Sequence, residues 1–133
     1  MPDSFLDTNV LVYLASADTG KAERAEQLIA AGGVISVQVL NELTNVGRRK
    51  MRLSWTEMHD FLALVRAFLS VEPITVETHE TGLALAERYG LSAYDAMIVA
   101  SAVLSACTTL WSEDMQDGVV IDGVRIMNPF KAV

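Results

Sequence analysis

The sequence predicts an α/β domain built on a short, mainly parallel central sheet. Short apolar segments of strand length alternate with longer segments whose apolar residues have helical spacing. Strands separated by helices imply right-handed βαβ connections, and such connections produce parallel strands. The 133 residues are 51% hydrophobic and 20% charged, as in ordinary globular proteins, so we expect a single domain over 1–133.

The limits of the predicted elements follow from capping and breaking residues. Gly32 and Gly33 stop the second helix, Ser54 caps the fourth and Gly90 ends the fifth. The predicted strands are 4–6, 34–35, one within 71–76, 108–111 and 124–126. The predicted helices are 10–17, 21–31, 36–49, 55–69, 77–89 and 92–106. The apolar residues expected inside the third and fourth helices are Val37, Leu40, Leu43, Val46, Met58, Phe61, Leu62, Val65 and Phe68.

Composition excludes several classes of protein. One cysteine, Cys107, and two separated histidines, His59 and His79, cannot supply a disulfide or a zinc-type site, so any metal must be bound by oxygen. The uncharged run 96–111 is shorter than the ~20 residues of a membrane span. The N-terminus, 1–4, lacks the basic residues of a secretory leader. We therefore expect a cytoplasmic protein.

Acidic residues follow two of the predicted strands. Asp7 comes directly after the first strand, and Asp114 comes just after the strand 108–111. Ligands of open α/β sheets bind beyond the carboxyl ends of the strands, so both carboxylates are expected at one edge. Asp117, three residues further on, can reach the same pocket from the loop.

Two further acids lie on predicted helices. Asp95 begins a helix that is apolar all round, so its carboxylate needs an interior partner, and a metal would serve. Glu42 has Asn45 and Val46 at the following helical positions, so no salt bridge within the helix explains it.

Each of these acids also has a purely structural explanation. Asp7 is suited to capping the next helix, and Asp114 and Asp117 are common turn formers. Asp95 stands three residues after a serine, as in a capping box, and Glu42 is suited to an exposed helix surface. The case for a site therefore depends on the set as a whole.

Taken together, the acids and their flanking residues resemble the PIN-domain ribonucleases, most closely the VapC-type toxins of bacterial toxin–antitoxin pairs. The resemblance extends over nearly the whole chain. The segments that carry it are Phe5-Leu6-Asp7-Thr8-Asn9-Val10-Leu11, Ser36-Val37-Gln38-Val39-Leu40-Asn41-Glu42, Gly90-Leu91-Ser92-Ala93-Tyr94-Asp95-Ala96 and Leu110-Trp111-Ser112-Glu113-Asp114.

The resemblance implies a three-layer α/β/α sandwich and an acidic active site. The catalytic quartet it implies is Asp7, Glu42, Asp95 and Asp114. The metal ligands it implies are Asp7, Asp95, Asp114 and, as an auxiliary fifth acid, Asp117, with Thr8, Asn9 and Ser112 orienting the carboxylates. Two positions depart from the family pattern: Ser112 stands where threonine is usual, and Gly118 stands where an aromatic often follows the fifth acid. Glu113 competes with Asp114 and Asp117 for their roles.

Clustered carboxylates suit hard divalent cations, so we expect Mg²⁺ or Mn²⁺ as cofactor. Such cations favour single-step, in-line hydrolysis of a phosphodiester, which leaves 5′-phosphate and 3′-hydroxyl ends. The candidate RNA contacts are Arg48, Arg49, Lys50 and Arg52, which also suit a helix C-terminus. Lys21 and Arg24 can add to them, and Tyr94 and Trp55 can stack on bases, although Trp55 suits the core equally well.

The net charge of −7 argues at first against RNA as a partner. Setting aside the five acids assigned to the site leaves 12 of the 17 acidic residues against 10 basic ones, so the excess negative charge belongs largely to one pocket. The resemblance further implies a small antitoxin that covers the pocket with a basic side chain. It also implies a homodimer, for which we expect exposed apolar residues on the first helices.

Two other functions fit parts of the pattern. A phosphoacceptor or phosphatase-like domain also places an acid after its first strand, but it needs a late lysine, for which Lys131 is the candidate, or a second aspartate where this chain has Asn9. A catalytically silent binding module of the same fold would have no reason to keep mutually repelling acids.

Overall fold

The computed structural model describes residues 3–131. The strands are β1 (Ser4–Leu6), β2 (Val34–Ser36), β3 (Ser70–Glu72), β4 (Thr109–Trp111), β5 (Val120–Ile121) and β6 (Val124–Met127). The helices are α1 (Thr8–Val12), α2 (Thr19–Ala30), α3 (Val37–Arg49), α4 (Trp55–Phe68), α5 (Val76–Tyr89) and α6 (Ala93–Leu104), and a 3₁₀ turn over Tyr13–Ala15 follows α1.

The strands form one sheet in the order β3-β2-β1-β4-β6-β5, in which all neighbours are parallel except β5 and β6. Helix α6 packs against β2, β4 and β6 and carries α5 on its outer side, while α1 to α4 contact one another in a second group. The predicted α/β/α sandwich with a mainly parallel sheet is confirmed.

The core lies between the sheet and the helices. Phe5, Ile35, Leu110 and Ile126 are contributed by four neighbouring strands and are fully buried or nearly so. Half of the residues of α6 are buried as well, including the continuous run 98–102, which explains its largely apolar sequence. None of the helices in the described part of the chain is long and apolar enough to cross a membrane.

The register of β1 and β4 positions the candidate site. Leu6 is paired with Trp111, and the Asp7 amide donates to the Trp111 carbonyl at 3.0 Å. The next residues of both strands, Asp7 and Ser112, are therefore neighbours at the carboxyl edge of the sheet.

Several local predictions were wrong. The first helix begins at Thr8 rather than at residue 10, because Asp7 caps it directly. The strand β5 was not predicted, although Asp122 and Gly123, with φ of 46° and 83°, form the tight turn that joins it to β6. Val37 and Phe68 were expected inside but are exposed, and Val39 and Leu69 are buried instead.

Candidate active site

An open cavity of about 480 Å³ lies at the carboxyl edge of β1 and β4. Four of the five predicted acids line it, and they come from the end of a strand, from two helices and from a loop. Its lining residues are Asp7, Thr8, Asn9, Val12, Glu42, Asn45, Val46, Lys50, Asp95, Glu113 and Asp114.

Asp7 is the most buried acid of the cavity, with 6% of its surface exposed. Its Oδ1 accepts from the Thr8 amide at 2.7 Å, so it does cap α1. Its Oδ2 accepts from the Ser112 hydroxyl at 2.9 Å and from the Asn9 side-chain amide at 3.2 Å. The capping role and the place in the cavity are thus compatible.

Neutral side chains connect the acids to one another. The Thr8 hydroxyl donates to Glu42 Oε1 at 2.8 Å, while the Thr8 amide holds Asp7. The Asn9 amide nitrogen donates at 3.2 Å to both Asp7 Oδ2 and Asp114 Oδ2. Thr8 and Asn9 therefore each bridge two carboxylates without adding positive charge.

Asp95 reaches the cavity from the first turn of α6. The Ser92 hydroxyl accepts from the Asp95 amide at 3.2 Å and caps this helix. The Asp95 carboxylate lines the cavity shared with Asp7 and Glu42. The serine cap therefore leaves this carboxylate available to the site.

The acids of the loop after β4 differ in their partners and in whether they line the cavity. Glu113 lines the cavity, but its carboxylate accepts from Lys21 at 2.7 Å and from the Tyr13 hydroxyl at 2.6 Å. Burial acts to raise the pKa of Glu113, but the hydrogen bonds from Lys21 and Tyr13 outweigh it and hold that pKa below its usual value. Glu113 is thus an ion-paired wall residue.

Asp117 does not line the cavity. Its Oδ1 accepts from the Asn128 amide at 2.7 Å and its Oδ2 pairs with Lys131 at 3.0 Å. These contacts hold the pKa of Asp117 below its usual value. Asp117 therefore fixes the C-terminal segment, and we leave it out of the proposed metal ligands. Lys131, which a phosphoacceptor site would need, is held at the same place.

Gly118 explains one departure from the family pattern. Its φ is +86°, in the left-handed region, and its amide donates to the Ile126 carbonyl at 2.7 Å. An aromatic residue at this position would be strained. The loop after Asp117 therefore follows a turn that favours glycine.

The electrostatics of the cavity are most visible at Asp7. Burial, together with smaller contributions from the charges of Glu42 and Asp95, raises the pKa of Asp7 to about 6, against the hydrogen bonds from Ser112 and Thr8. The cavity thus holds more negative charge than its own neutral donors compensate.

Comparisons with known proteins identify the family of the chain. The model of the PIN domain family matches residues 4–117 of the sequence. The chain belongs to the PIN domain family. The resemblance inferred from the sequence is thereby confirmed.

Solved structures similar to this PIN domain include a toxin–antitoxin complex from Klebsiella pneumoniae, with 27% identity over 96% of this chain and 98% of that chain and a TM-score of 0.72. The Mycobacterium tuberculosis protein VapC20, described as a sarcin-ricin loop cleaving toxin, has 22% identity, a coverage of 84% and 89%, and a TM-score of 0.67. The DNA-bound VapBC of Salmonella typhimurium has 22% identity, a coverage of 97% and 99%, and a TM-score of 0.67. The latter two likenesses show the fold alone. A search of curated proteins found no significant match.

The candidate metal ligands of this PIN domain are of a chemical type that suits a hard divalent cation. All are carboxylate oxygens, and the raised pKa of Asp7 marks a buried carboxyl that a nearby cation would help to ionise. Within residues 3–131, no three His, Cys, Asp or Glu side chains are close enough to hold one ion between them.

Two of the predicted RNA contacts, Arg49 and Lys50, line cavities, whereas a third, Arg48, is bonded elsewhere in the protein. Lys50 lines the acidic cavity, and Arg49 and Lys50 line an adjoining one of about 320 Å³. Arg48 instead donates to the Leu53 carbonyl at 2.7 Å and stacks over the Trp55 ring at 4.1 Å. Trp55 is exposed, so the alternative prediction that it is a core residue is wrong.

Sequence reasoning missed two residues of the cavity region. Asn45 lines the cavity one helical turn beyond Glu42, and that spacing was the available signal. Tyr13 bonds Glu113 and lies 4.7 Å from Lys21 Nζ, measured to the ring centre, and nothing in the sequence connects those residues.

Proposed function

We propose that this PIN domain is a metal-dependent endoribonuclease and the toxin of a toxin–antitoxin pair. The observation that carries the proposal is the convergence of Asp7, Glu42, Asp95 and Asp114 on one cavity. Support for the activity comes from the similar Mycobacterium tuberculosis toxin, which is described as cleaving the sarcin-ricin loop. Support for the pairing comes from the similar Klebsiella pneumoniae complex.

The residues divide the work according to their surroundings. Asp7, Asp95 and Asp114 are the proposed ligands of Mg²⁺ or Mn²⁺, and Ser112 and Asn9 hold Asp7 in one orientation. When bound, a divalent cation supplies positive charge to the scissile phosphate and acidifies an attacking water.

Glu42 is the proposed acceptor of the water proton. It is less buried than Asp7, and the Thr8 hydroxyl fixes one of its oxygens and leaves the other free. The reaction is an in-line hydrolysis of RNA that leaves 5′-phosphate and 3′-hydroxyl ends.

Cleavage assays test the proposal directly. Purified protein with Mn²⁺ should cleave RNA, and Asp7→Asn and Asp95→Asn should each lower the rate at least about 100-fold. Asp60→Asn, which removes an exposed charge on α4, is the matched control and should keep the wild-type rate. Undiminished cleavage by Asp7→Asn would refute the site.

Metal dependence has its own readout. A ligand that binds only the folded state adds about 2.7 kcal/mol to stability at 100 times its Kd. Mn²⁺ should therefore raise the Tm of the wild type and leave that of Asp7→Asn nearly unchanged. An equal rise in both proteins would place the ion elsewhere.

The proposed partners are RNA, an antitoxin and a second copy of the chain. The acidic cavity suits an inhibitor that inserts a basic side chain. The homodimer needs a different surface from the one expected, because the first helices expose no large apolar residue among those described. The exposed apolar side chains lie mainly on α4, α5 and α6, including Leu64, Phe68, Val76, Leu83 and Leu104.

A further inference from the structure

A groove of about 490 Å³ adjoins the acidic cavity and has a different chemistry. It lies within the range of about 300–1,000 Å³ that is usual for ligand sites. Its walls are Gln38, Asn41, Glu42, Asn45, Ile74 and Tyr94. Because Glu42 and Asn45 also line the acidic cavity, a molecule can occupy both spaces at once.

One wall of the groove is a row of amides on α3. Gln38, Asn41 and Asn45 have helical spacings of three and four residues, so they lie on one face together with Glu42. Asn41 and Asn45 are exposed, and each amide offers both donors and an acceptor. This wall can therefore read the edge of a planar, neutral, hydrogen-bonding group.

The opposite wall is an exposed aromatic ring. Tyr94 has 72% of its surface exposed and directly precedes Asp95, and Ile74 beside it is 41% exposed. The Gln38 side chain donates to the Tyr94 carbonyl at 3.1 Å and ties the two walls together. An exposed ring next to apolar surface is suited to stacking on a base.

We propose that this groove binds one unpaired RNA base next to the scissile phosphate, with Tyr94 stacking on the base and Asn41 and Asn45 bonding its edge. The inference rests on the proposed ribonuclease function and names the substrate feature that its site selects. The negative charge of Glu42, next to the amides, disfavours a phosphate in this groove.

The other end of α3 supports this orientation of the RNA. Arg49 and Lys50 line the cavity next to Asn45, about one helical turn beyond it. The exposed side of α3 thus runs from neutral amides through the catalytic acid to free cations. A single strand along this helix places a base on the amides and neighbouring phosphates on the cations.

Cleavage of a randomised single-stranded RNA library, read by sequencing the product ends, tests the groove. Wild-type protein should show a base preference at one position beside the cut. Tyr94→Ala and Asn41→Ala should reduce that preference at least about fivefold, whereas Tyr94→Phe should keep it. The matched control is Gln27→Ala, an exposed helical amide on α2, and it should leave the preference unchanged.

Binding separates this inference from the ribonuclease function. In an Asp7→Asn background, a labelled single strand should bind at least about fivefold more weakly when Tyr94 is also replaced by alanine. If the wild type cleaves no RNA but this difference is found, the ribonuclease function fails and the base site stands. If cleavage occurs with unchanged preference in Tyr94→Ala and Asn41→Ala, the base site is overturned and the function stands.

Sedimentation of Tyr94→Ala tests whether a second copy of the chain, instead of RNA, occupies the groove. A wild-type dimer that becomes monomeric in this variant, with the base preference retained, would show that another copy covers the groove and would overturn the inference. An unchanged oligomeric state together with lost preference supports it.

Discussion

The proposed catalytic acids and the two other acids of the loop after β4 have opposite kinds of partners. Asp7 and Asp114 accept hydrogen bonds from Ser112, Asn9 or a backbone amide, all of which are neutral. Glu113 and Asp117, on the same loop as Asp114, are each paired with a lysine. Neither of the two ion pairs within residues 3–131 involves an acid of the proposed quartet.

This difference indicates which charges the fold compensates by itself. A buried carboxylate without a cationic partner costs stability, and the raised pKa of Asp7 is the sign of that cost. Lys21 and Lys131 lie nearby, yet they pair with Glu113 and Asp117 and not with the quartet. The negative charge in the cavity is therefore available to an external cation, which is the role proposed for Mg²⁺ or Mn²⁺.

The largest expected effect is the difference between two substitutions in one loop, Asp114→Asn and Asp117→Asn. Asp114→Asn should lower kcat/KM for RNA cleavage by about 100-fold or more, because it removes a proposed ligand. Asp117→Asn should change it less than about threefold and should lower the Tm slightly, since Asp117 holds Asn128 and Lys131. Steady-state cleavage assays and thermal melts measure both effects.

The reverse result would break the comparison. If Asp117→Asn abolished cleavage while Asp114→Asn remained active, the fifth acid of the family pattern would be a ligand in this chain as well. The loop would then have to turn Asp117 away from Lys131 when the metal binds.

Much of this site was predictable because it depends on strand order and on short-range spacing. Asp7 and Asp114 both follow parallel strands, and parallel strands bring such residues to one edge. The capping roles of Asp7 and Ser92 were predictable for the same reason, since a cap involves residues that are close in sequence.

Contacts between distant residues were not predictable in this way. Asp117 is turned away by Asn128 and Lys131, and Glu113 is neutralised by Lys21, 92 positions earlier in the chain. Hydrophobic spacing misplaced Val37, because the buried residues of α3 are Val39, Leu43 and Gly47, and Val37 lies two positions from that series. Partner choice among many charged side chains depends on tertiary packing.

The pH dependence of the free energy of unfolding, measured without metal, should reveal how much the buried Asp7 carboxylate destabilises the protein. The pKa of Asp7 is about 6 in the folded protein and 3.8 as the ordinary value, so the unfolded state loses its proton first as pH rises. Unfolding then releases a proton between about pH 4 and 6, and the free energy of unfolding falls over this window by up to about 3 kcal/mol, with no further change above it.

Asp7→Asn isolates this effect because asparagine does not titrate. In EDTA, the difference in unfolding free energy between wild type and Asp7→Asn should change by about 2–3 kcal/mol from pH 4 to pH 7, with the variant gaining relative stability at the higher pH. Urea unfolding at both pH values measures it. A constant difference would show that Asp7 already has a compensating partner.

The smallest expected effect distinguishes a basic residue that lines the cavity from one that is bonded elsewhere in the protein. Lys50 lines the acidic cavity, whereas Arg48 is bonded to Leu53 and stacked on Trp55. Lys50→Ala should weaken RNA binding about three- to tenfold and reduce the slope of log affinity against log salt by about one, as for the loss of one phosphate contact. Arg48→Ala should lower the Tm and leave the slope unchanged. Equal slopes for both variants would place the RNA path away from the cavity, because a strand bound there must pass Lys50.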